Sequence, residues 1–433
     1  MKKTMGLFSA LAMLFTSASA QDGGLKKELP LWTHNANIYE VNIRQYTPEG
    51  TFNAFAAHLD RLKSQGTDIL WIMPINPIGE INRKGSLGSY YSVKDYTAVN
   101  SEFGTLSDFK SLVAEIHKRG MYVILDWVAN HTARDNAWVT AHPDWYTHND
   151  DGSIAVPAGT DWDDTADLNY DNSDMRKAMI EAMKFWLVNA DIDGFRCDVA
   201  GMVPVDFWVE ARTELQTVKP VFMLAEDESP KMHQAFDMTY GWFMHSTLNK
   251  VAKGELNCTV FQKLDKVEHK QFKTTDYRMN FTSNHDENSW NKSEYDRMGD
   301  GVKTFAVLTY MLPGMPLVYS GQEAANHKAL KFFERDPLDF SNCPLQQFYT
   351  TLNQIKHNNS ALWNGACGAP INFVSCNNRK AILAFSRCNV SNKVFCYFNL
   401  TPNEQKATIN GRKYNFAPWQ YIIEIDGKEV KIE

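Results

Sequence analysis

No cysteine precedes Cys197, and the seven in the chain form an odd set that cannot pair completely within one molecule. Their spacing matches no zinc pattern, which excludes a zinc-stapled fold. Long runs of one charge sign are also missing. Lys and Arg total 44 against 51 Asp and Glu, a formal charge of −7. That balance excludes nucleic acid and anionic membrane surfaces as partners. Beyond the first 20 residues, no apolar stretch is long enough to span a bilayer. A GxGxxG after the first apolar run is absent, as are a phosphate loop and a serine-nucleophile elbow. His131 and His285 stand far apart, each next to an acid or amide, and not at the spacing of a metal hydrolase. No internal repeat or low-complexity tract occurs.

What is present begins with "MKKTMGLFSALAMLFTSASAQ". Lys2 and Lys3, a short apolar stretch and Ala18-Ser19-Ala20 predict a signal peptide over residues 1–20, cleaved before Gln21. The mature protein is then expected to be secreted or periplasmic, with no membrane insertion. Losing the two lysines takes the formal charge to −9.

Downstream, strand-like and helix-like stretches alternate. "NIYEVNI", "DILWIMPI", "MYVILDWV", "GFRCDVA", "PVFMLAED", a weaker "FDMTYGW", "RMNFTSNHD" and "GMPLVYSGQ" read as strands. Helical patterns lie between them, the first a single helix over "AFAAHLDRLKSQG" after the first strand. Another is "LSDFKSLVAEIHKRG", with Ser107 expected as its cap and Gly120 as its stop. Eight such units predict a closed (β/α)₈ barrel over residues 33–362. A stretch rich in Asp, Trp, Tyr and His, about 132–170, interrupts it after strand 3 as a short subdomain. Residues 366–433 show period-two alternation and Asn-rich turns, predicting a separate C-terminal all-β sandwich.

In such a barrel the C-terminal strand ends build the active site. Strand 3 ends in Asp126, followed by Asn130 and His131; strand 4 carries Arg196 and Asp198; strand 5 ends at Glu226; strand 7 ends at His285 and Asp286. The loop after strand 2 holds Tyr90, Tyr91 and Asp95. Three carboxylates, Asp198, Glu226 and Asp286, are expected to converge. Such a set suits glycoside hydrolysis, in which one carboxyl protonates the leaving oxygen while another attacks the anomeric carbon. Neighbouring like charges should keep Glu226 protonated, and Arg196 should hold Asp198 ionised and aimed. Cys197 should point away from the barrel axis if its neighbours point in.

These residues sit in stretches that resemble the α-amylase family of glycoside hydrolases (glycoside hydrolase family 13). "DWVANH", "DGFRCDVA", the Ala-Glu of "MLAED" and "FTSNHDEN" resemble its motifs on strands 3, 4, 5 and 7. "WIMPI", "GSYYSVKDYTAVNSEFGT", "ADLN" and "GMPLVYSGQE" resemble its flanking motifs, all in the right order. The resemblance implies a retaining hydrolase of α-1,4-glucosidic bonds in starch or maltooligosaccharides. Asp198 would be the nucleophile, Glu226 the acid/base and Asp286 the transition-state stabiliser. His131 and His285 would hydrogen-bond the sugar, Tyr91 would stack on it, Arg196 would orient Asp198, and Asp126 would support the site. Trp145, Tyr146 and Trp162 in the insertion could stack on sugar or pack the subdomain. Asn130 and Asp167 are expected calcium ligands, calcium being otherwise the only cofactor in view. The stretch after Asp198, "VAGM", departs from the Lys-His of many α-amylases, which weakens calcium binding, and its Val199 resembles α-1,6-acting relatives. An α-glucan transglycosylase, an α-1,6-acting glucosidase and a non-catalytic sugar-binding relative stand as alternatives.

Overall fold

Eight short apolar runs form the parallel strands β1 (Ile38–Val41), β2 (Ile69–Ile72), β3 (Tyr122–Trp127), β4 (Gly194–Cys197), β5 (Phe222–Ala225), β6 (Met238–Tyr240), β7 (Tyr277–Asn280) and β8 (Met315–Tyr319). Each pairs with the next and β8 pairs with β1, closing the barrel. The computed structural model describes residue 27 and residues 29–432. The expected signal peptide and its cleavage point lie outside the described residues.

Strand period divides the side chains. Ile38, Ile69, Trp71, Ile124, Leu224, Met238, Met279 and Leu317 fill the barrel interior. Their neighbours, including Tyr39, Leu70, Leu125, Phe195, Met223 and Cys197, face outward and pack under the helices. Cys197 therefore points away from the axis, as alternation with Arg196 requires. β4 begins at Gly194, where a Cβ would meet the Phe222 carbonyl oxygen at 1.9 Å. Only glycine lets β4 sit this close to β5, and those two strands end in Asp198 and Glu226.

Two helix expectations need correction. Thr105, not Ser107, caps the helix Leu106–Lys118. Thr105 has the extended backbone of an N-cap, accepts from Asp108 N–H and receives the Asp108 carboxylate on its own N–H, a reciprocal box that Ser107 inside the first turn cannot make. The stretch after β1 forms two short helices, Phe52–Ala56 and Leu59–Gln65, instead of one.

After β3 the hairpin His131–Ala133 with Thr165–Asp167 closes the inserted subdomain. The C-terminal region is all-β. A five-stranded antiparallel sheet (Ile371–Phe373, Ile382–Cys388, Lys393–Asn399, Tyr421–Ile425, Lys428–Val430) lies against the hairpin of Gln405–Ile409 and Arg412–Phe416. Ile382, Ala384, Tyr397 and Ile422 face the hairpin's Ala407, Ile409 and Phe416. Leu383, Phe385, Val394 and Cys396, on the other face, join the core beneath the barrel helices. All seven cysteines are free. Among the described residues no helix is long and apolar enough to cross a membrane.

Candidate active site

The buried Arg196 guanidinium organises the C-terminal mouth of the barrel. It arrives on β4 between β3 and β5, in register with Asp126 and Leu224. Nη1 donates to Asp126 Oδ1 at 2.8 Å and to Asp198 Oδ1 at 3.0 Å, and Nε donates to the Tyr240 hydroxyl at 3.1 Å. Nη2 lies 2.8 Å from Glu226 Oε2 but off the N–H direction, so that contact is ionic and Nη2 makes no proper hydrogen bond. The cation also sits over Trp71, 5.0 Å from the ring centre. Burial works against its charge, but Asp126 and Glu226 hold it protonated.

The ladder runs one step past the strands. Asp198 N–H donates to Trp127 O at 2.9 Å and Glu226 N–H to Cys197 O at 3.0 Å, which places the two carboxylates side by side. Val199, next in the chain, takes φ +34 and ψ +45. A β-branched residue in the left-handed region is strained, a feature that clusters at functional sites. Here it turns the Val199 N–H onto Glu226 Oε2 at 2.7 Å.

Asn284 caps the short helix His285–Trp290, which sets His285 and Asp286 in its first turn. His285 Nδ1 lies 2.6 Å from Glu40 Oε1, while Nε2 lies 2.7 Å from the Tyr91 hydroxyl and 3.2 Å from Asp286 Oδ2. The Tyr91 hydroxyl donates to Asp126 Oδ2 at 3.1 Å, an oxygen that also accepts from Trp71 Nε1 at 3.0 Å. The donors thus run in one direction, from His285 through Tyr91 to Asp126.

Charge states follow from these surroundings. Burial, then the Glu226 charge, pushes Asp198 well above the usual carboxylate range, against the pull of Arg196. This reverses the expectation that Arg196 would hold Asp198 low, because burial and the neighbouring Glu226, Asp126 and Asp286 charges oppose the pull of Arg196. Burial opposes protonation of His285, yet Asp286 and Glu40 raise it to about 9. His131 is held neutral, its pKa brought down to about 4 by burial.

One pocket of about 270 Å³ is lined by Tyr91, His131, Asp198, Glu226, His285 and Asp286 together. Arg196 and Asp126 lie beneath it. Trp162 also lines it, its ring centre 5.3 Å from that of His131. Trp145 and Tyr146 are buried in the insertion and pack it. Asp95 is exposed and caps Thr97, so it is not brought to the pocket.

Asn130 and Asp167 sit at the root of the insertion. The Asn130 amide lies 3.3 Å from His131 Nδ1, and burial raises the Asp167 carboxyl. Among the described residues no group of three or more His, Cys, Asp or Glu could hold a metal ion. Calcium takes six to eight oxygens, so these two side chains alone fall short of a cage.

Sequence reading missed Glu40, Trp71, Tyr240, Lys84, Asp164, Trp290, Phe332 and Phe333. Glu40 carried the signal that flagged Arg196, a charge within an apolar strand. The aromatic residues carried none: Trp71 and Tyr240 sit on β2 and β6, where a ring reads as core, Trp290 ends the short helix His285–Trp290, and Phe332 and Phe333 come from a loop whose position only the fold decides.

A sequence profile described as alpha amylase, catalytic domain, matches residues 19–153 and 159–360. Alpha-amylase MalA of Haloarcula japonica is 28% identical over 353 residues, 77% of this chain. The chain spans about half of that relative's length, 50%. The crystal structure of an alpha-amylase from Lactobacillus plantarum superposes with a TM-score of 0.82 at 29% identity, covering 91% of this chain and 99% of its own. A maltogenic alpha-amylase from Thermotoga neapolitana gives 0.80 at 27% identity, covering 91% and 97%.

Proposed function

The chain belongs to the α-amylase catalytic-domain family, and from that premise we propose that it is a retaining hydrolase of α-1,4-glucosidic bonds in starch or maltooligosaccharides. The observation that carries the reading is the meeting of Asp198 and Glu226 on one guanidinium inside a pocket that also holds Asp286.

In the first step an Asp198 oxygen attacks the anomeric carbon. The bond from that carbon to the glycosidic oxygen breaks, and the Glu226 proton passes to the leaving oxygen. In the second step Glu226 takes a proton from water, whose oxygen attacks the same carbon and releases the Asp198 carboxylate. Two inversions restore the α configuration. Arg196 gives Asp198 a directed N–H that aims the attacking carboxylate, while Glu226 Oε2 is held by the Val199 N–H and an off-axis contact with Arg196. Asp286, the most exposed of the three carboxylates, faces the positive charge that develops on the sugar ring. His131 and protonated His285 line the pocket, His285 held in place by Glu40, Tyr91 and Asp286. The signal-peptide pattern expected in residues 1–20 supports a secreted or periplasmic location. Calcium at Asn130 and Asp167 stays a proposal resting on ligand type.

Proton NMR of the first product from maltooligosaccharides tests the mechanism. The α-anomer is expected before mutarotation, and β-anomer first would overturn it. A product set from starch, pullulan and maltooligosaccharides separates hydrolysis from transglycosylation, and α-1,4 from α-1,6 cleavage.

A stability measurement tests the His285 assignment. The folded pKa is raised above the ordinary value of about 6.5, so the stabilisation is complete below that value. It is lost as pH rises through about 9. Tm followed across this window should fall in the wild type and fall less in His285→Asn. Parallel curves would refute a protonated His285.

A further inference from the structure

Two loops meet at one wall of the pocket, where Lys84 and Phe333 line it. Glu226 ends β5, and β2 and β8 flank β1, which lies across the barrel from β5. The loops that follow β2 and β8 meet opposite Glu226. Gly85 has φ +61, and a Cβ there would meet Phe333 Cβ at 2.5 Å. Leu87 N–H donates to Phe333 O at 3.0 Å. Ser86 N–H donates to Glu334 Oε1 at 2.9 Å, and the Ser86 hydroxyl bonds the other oxygen of that carboxylate.

The same β2 loop crosses to the insertion on its other flank. The Asn82 amide donates to Asp163 O at 2.9 Å. Lys84 Nζ reaches Asp161 O at 3.3 Å, Asp164 Oδ1 at 3.4 Å and Asp163 Oδ1 at 3.5 Å. All three contacts are long beside the roughly 2.7–2.9 Å of a charge-assisted hydrogen bond. The ammonium therefore keeps donor capacity for a ligand hydroxyl. Asp164 is 2% exposed and its Oδ2 has no hydrogen-bond partner, so the Lys84 charge is what compensates it and what anchors Lys84 in return. Lys84, Asp164 and Phe333 line the same pocket as Asp198 and Glu226.

The leaving oxygen must face the acid, so the sugar units retained on Asp198 extend the opposite way, into this bridge. We infer that the bridge built on Lys84, Ser86 and Phe333 blocks the glycone side of the pocket, and that Lys84 binds hydroxyls of the non-reducing terminal sugar. The substrate class is then the non-reducing ends of α-glucan chains, not their interiors. This rests on the hydrolase reading and deepens it.

The test compares maltopentaose with its analogue carrying a 4,6-O-benzylidene group on the non-reducing sugar, with products identified by mass. Wild-type protein is expected to cut the free chain near its non-reducing end and the blocked chain at least about tenfold more slowly. Lys84→Met keeps the bulk and removes the donor. It should raise KM for the free chain about tenfold with kcat less changed. Lys84→Ala also opens the wall and should raise the relative rate on the blocked chain. Equal wild-type rates on both chains, with internal fragments, would overturn end recognition, and this comparison decides even if a variant fails to fold. No cleavage of maltopentaose, starch or pullulan would overturn the hydrolase reading itself.

Discussion

Asp198→Asn is expected to lower kcat by at least about 10⁴-fold and, at neutral pH, to raise Tm. The loss follows from removing the attacking oxygen while keeping its shape. The gain follows from the surroundings. Asp126, Asp198 and Glu226 share the single charge of Arg196, and Asp198 is buried. Its folded pKa lies above the unfolded value, the reverse of the ordinary salt-bridged carboxylate. Ionised Asp198 therefore destabilises the fold at pH 7, and that penalty disappears as pH falls through the folded pKa toward the unfolded one. The Tm difference between variant and wild type should be largest near neutrality and vanish in acid. The same shift places the acid limb of kcat/KM above the range of an ordinary Asp. Calorimetry at two pH values and turnover on maltooligosaccharides check both halves. Near-wild-type turnover would remove Asp198 as nucleophile. A lower Tm for the variant at pH 7 would mean that the Arg196 pair outweighs burial.

Arg196→Met acts in the opposite direction on stability. It leaves three carboxylates at the barrel mouth without their cation, and breaking a buried pair in this way costs about 3–5 kcal/mol. Asp126 suffers most, because it is fully inside and its Oδ1 loses its donor, although Trp71 and Tyr91 still serve Oδ2. Arg196→Lys should recover part of the stability and little of the activity. An ammonium restores one charge but cannot fork between Asp126, Asp198 and Glu226 as the planar guanidinium does. Denaturant unfolding separates the three proteins. A Met variant as stable as wild type would show that the carboxylates discharge by taking up protons, and its acid limb would then move to higher pH.

These two experiments probe opposite faces of one ion cluster, and the cluster shows how far the chain could be read without coordinates. Arg196 and Asp198 stood out as charges inside an apolar run, and burial demands that such charges be paired. Which partners they meet was not written locally. Asp126 is 70 residues from Arg196 and Glu226 is 30 away, so their meeting depends on barrel register. Glu40 went unread although it carries the same signal, because its partner His285 lies 245 residues away on β7's following helix. The Thr105 cap was legible in principle, since Thr105 and Asp108 stand at box spacing. It was assigned two residues late because Ser107 is also a good capping residue.

By itself the sequence determined the alternation of strand and helix, the eight-unit barrel, the interruption after β3, the all-β C-terminal region and the carboxylates at the strand ends. These follow from periodicity and from the rarity of buried charge, both of which are local. Only the tertiary structure decided that Asp198 is buried beside Glu226 and Asp126, and hence that it is pushed up although Arg196 pulls it down. It alone placed Val199 in the left-handed region, and it alone joined the β2 loop to the β8 loop and the insertion opposite Glu226. Electrostatic shifts and pocket walls arise from distances between residues remote in the chain, and a linear pattern contains no such distances.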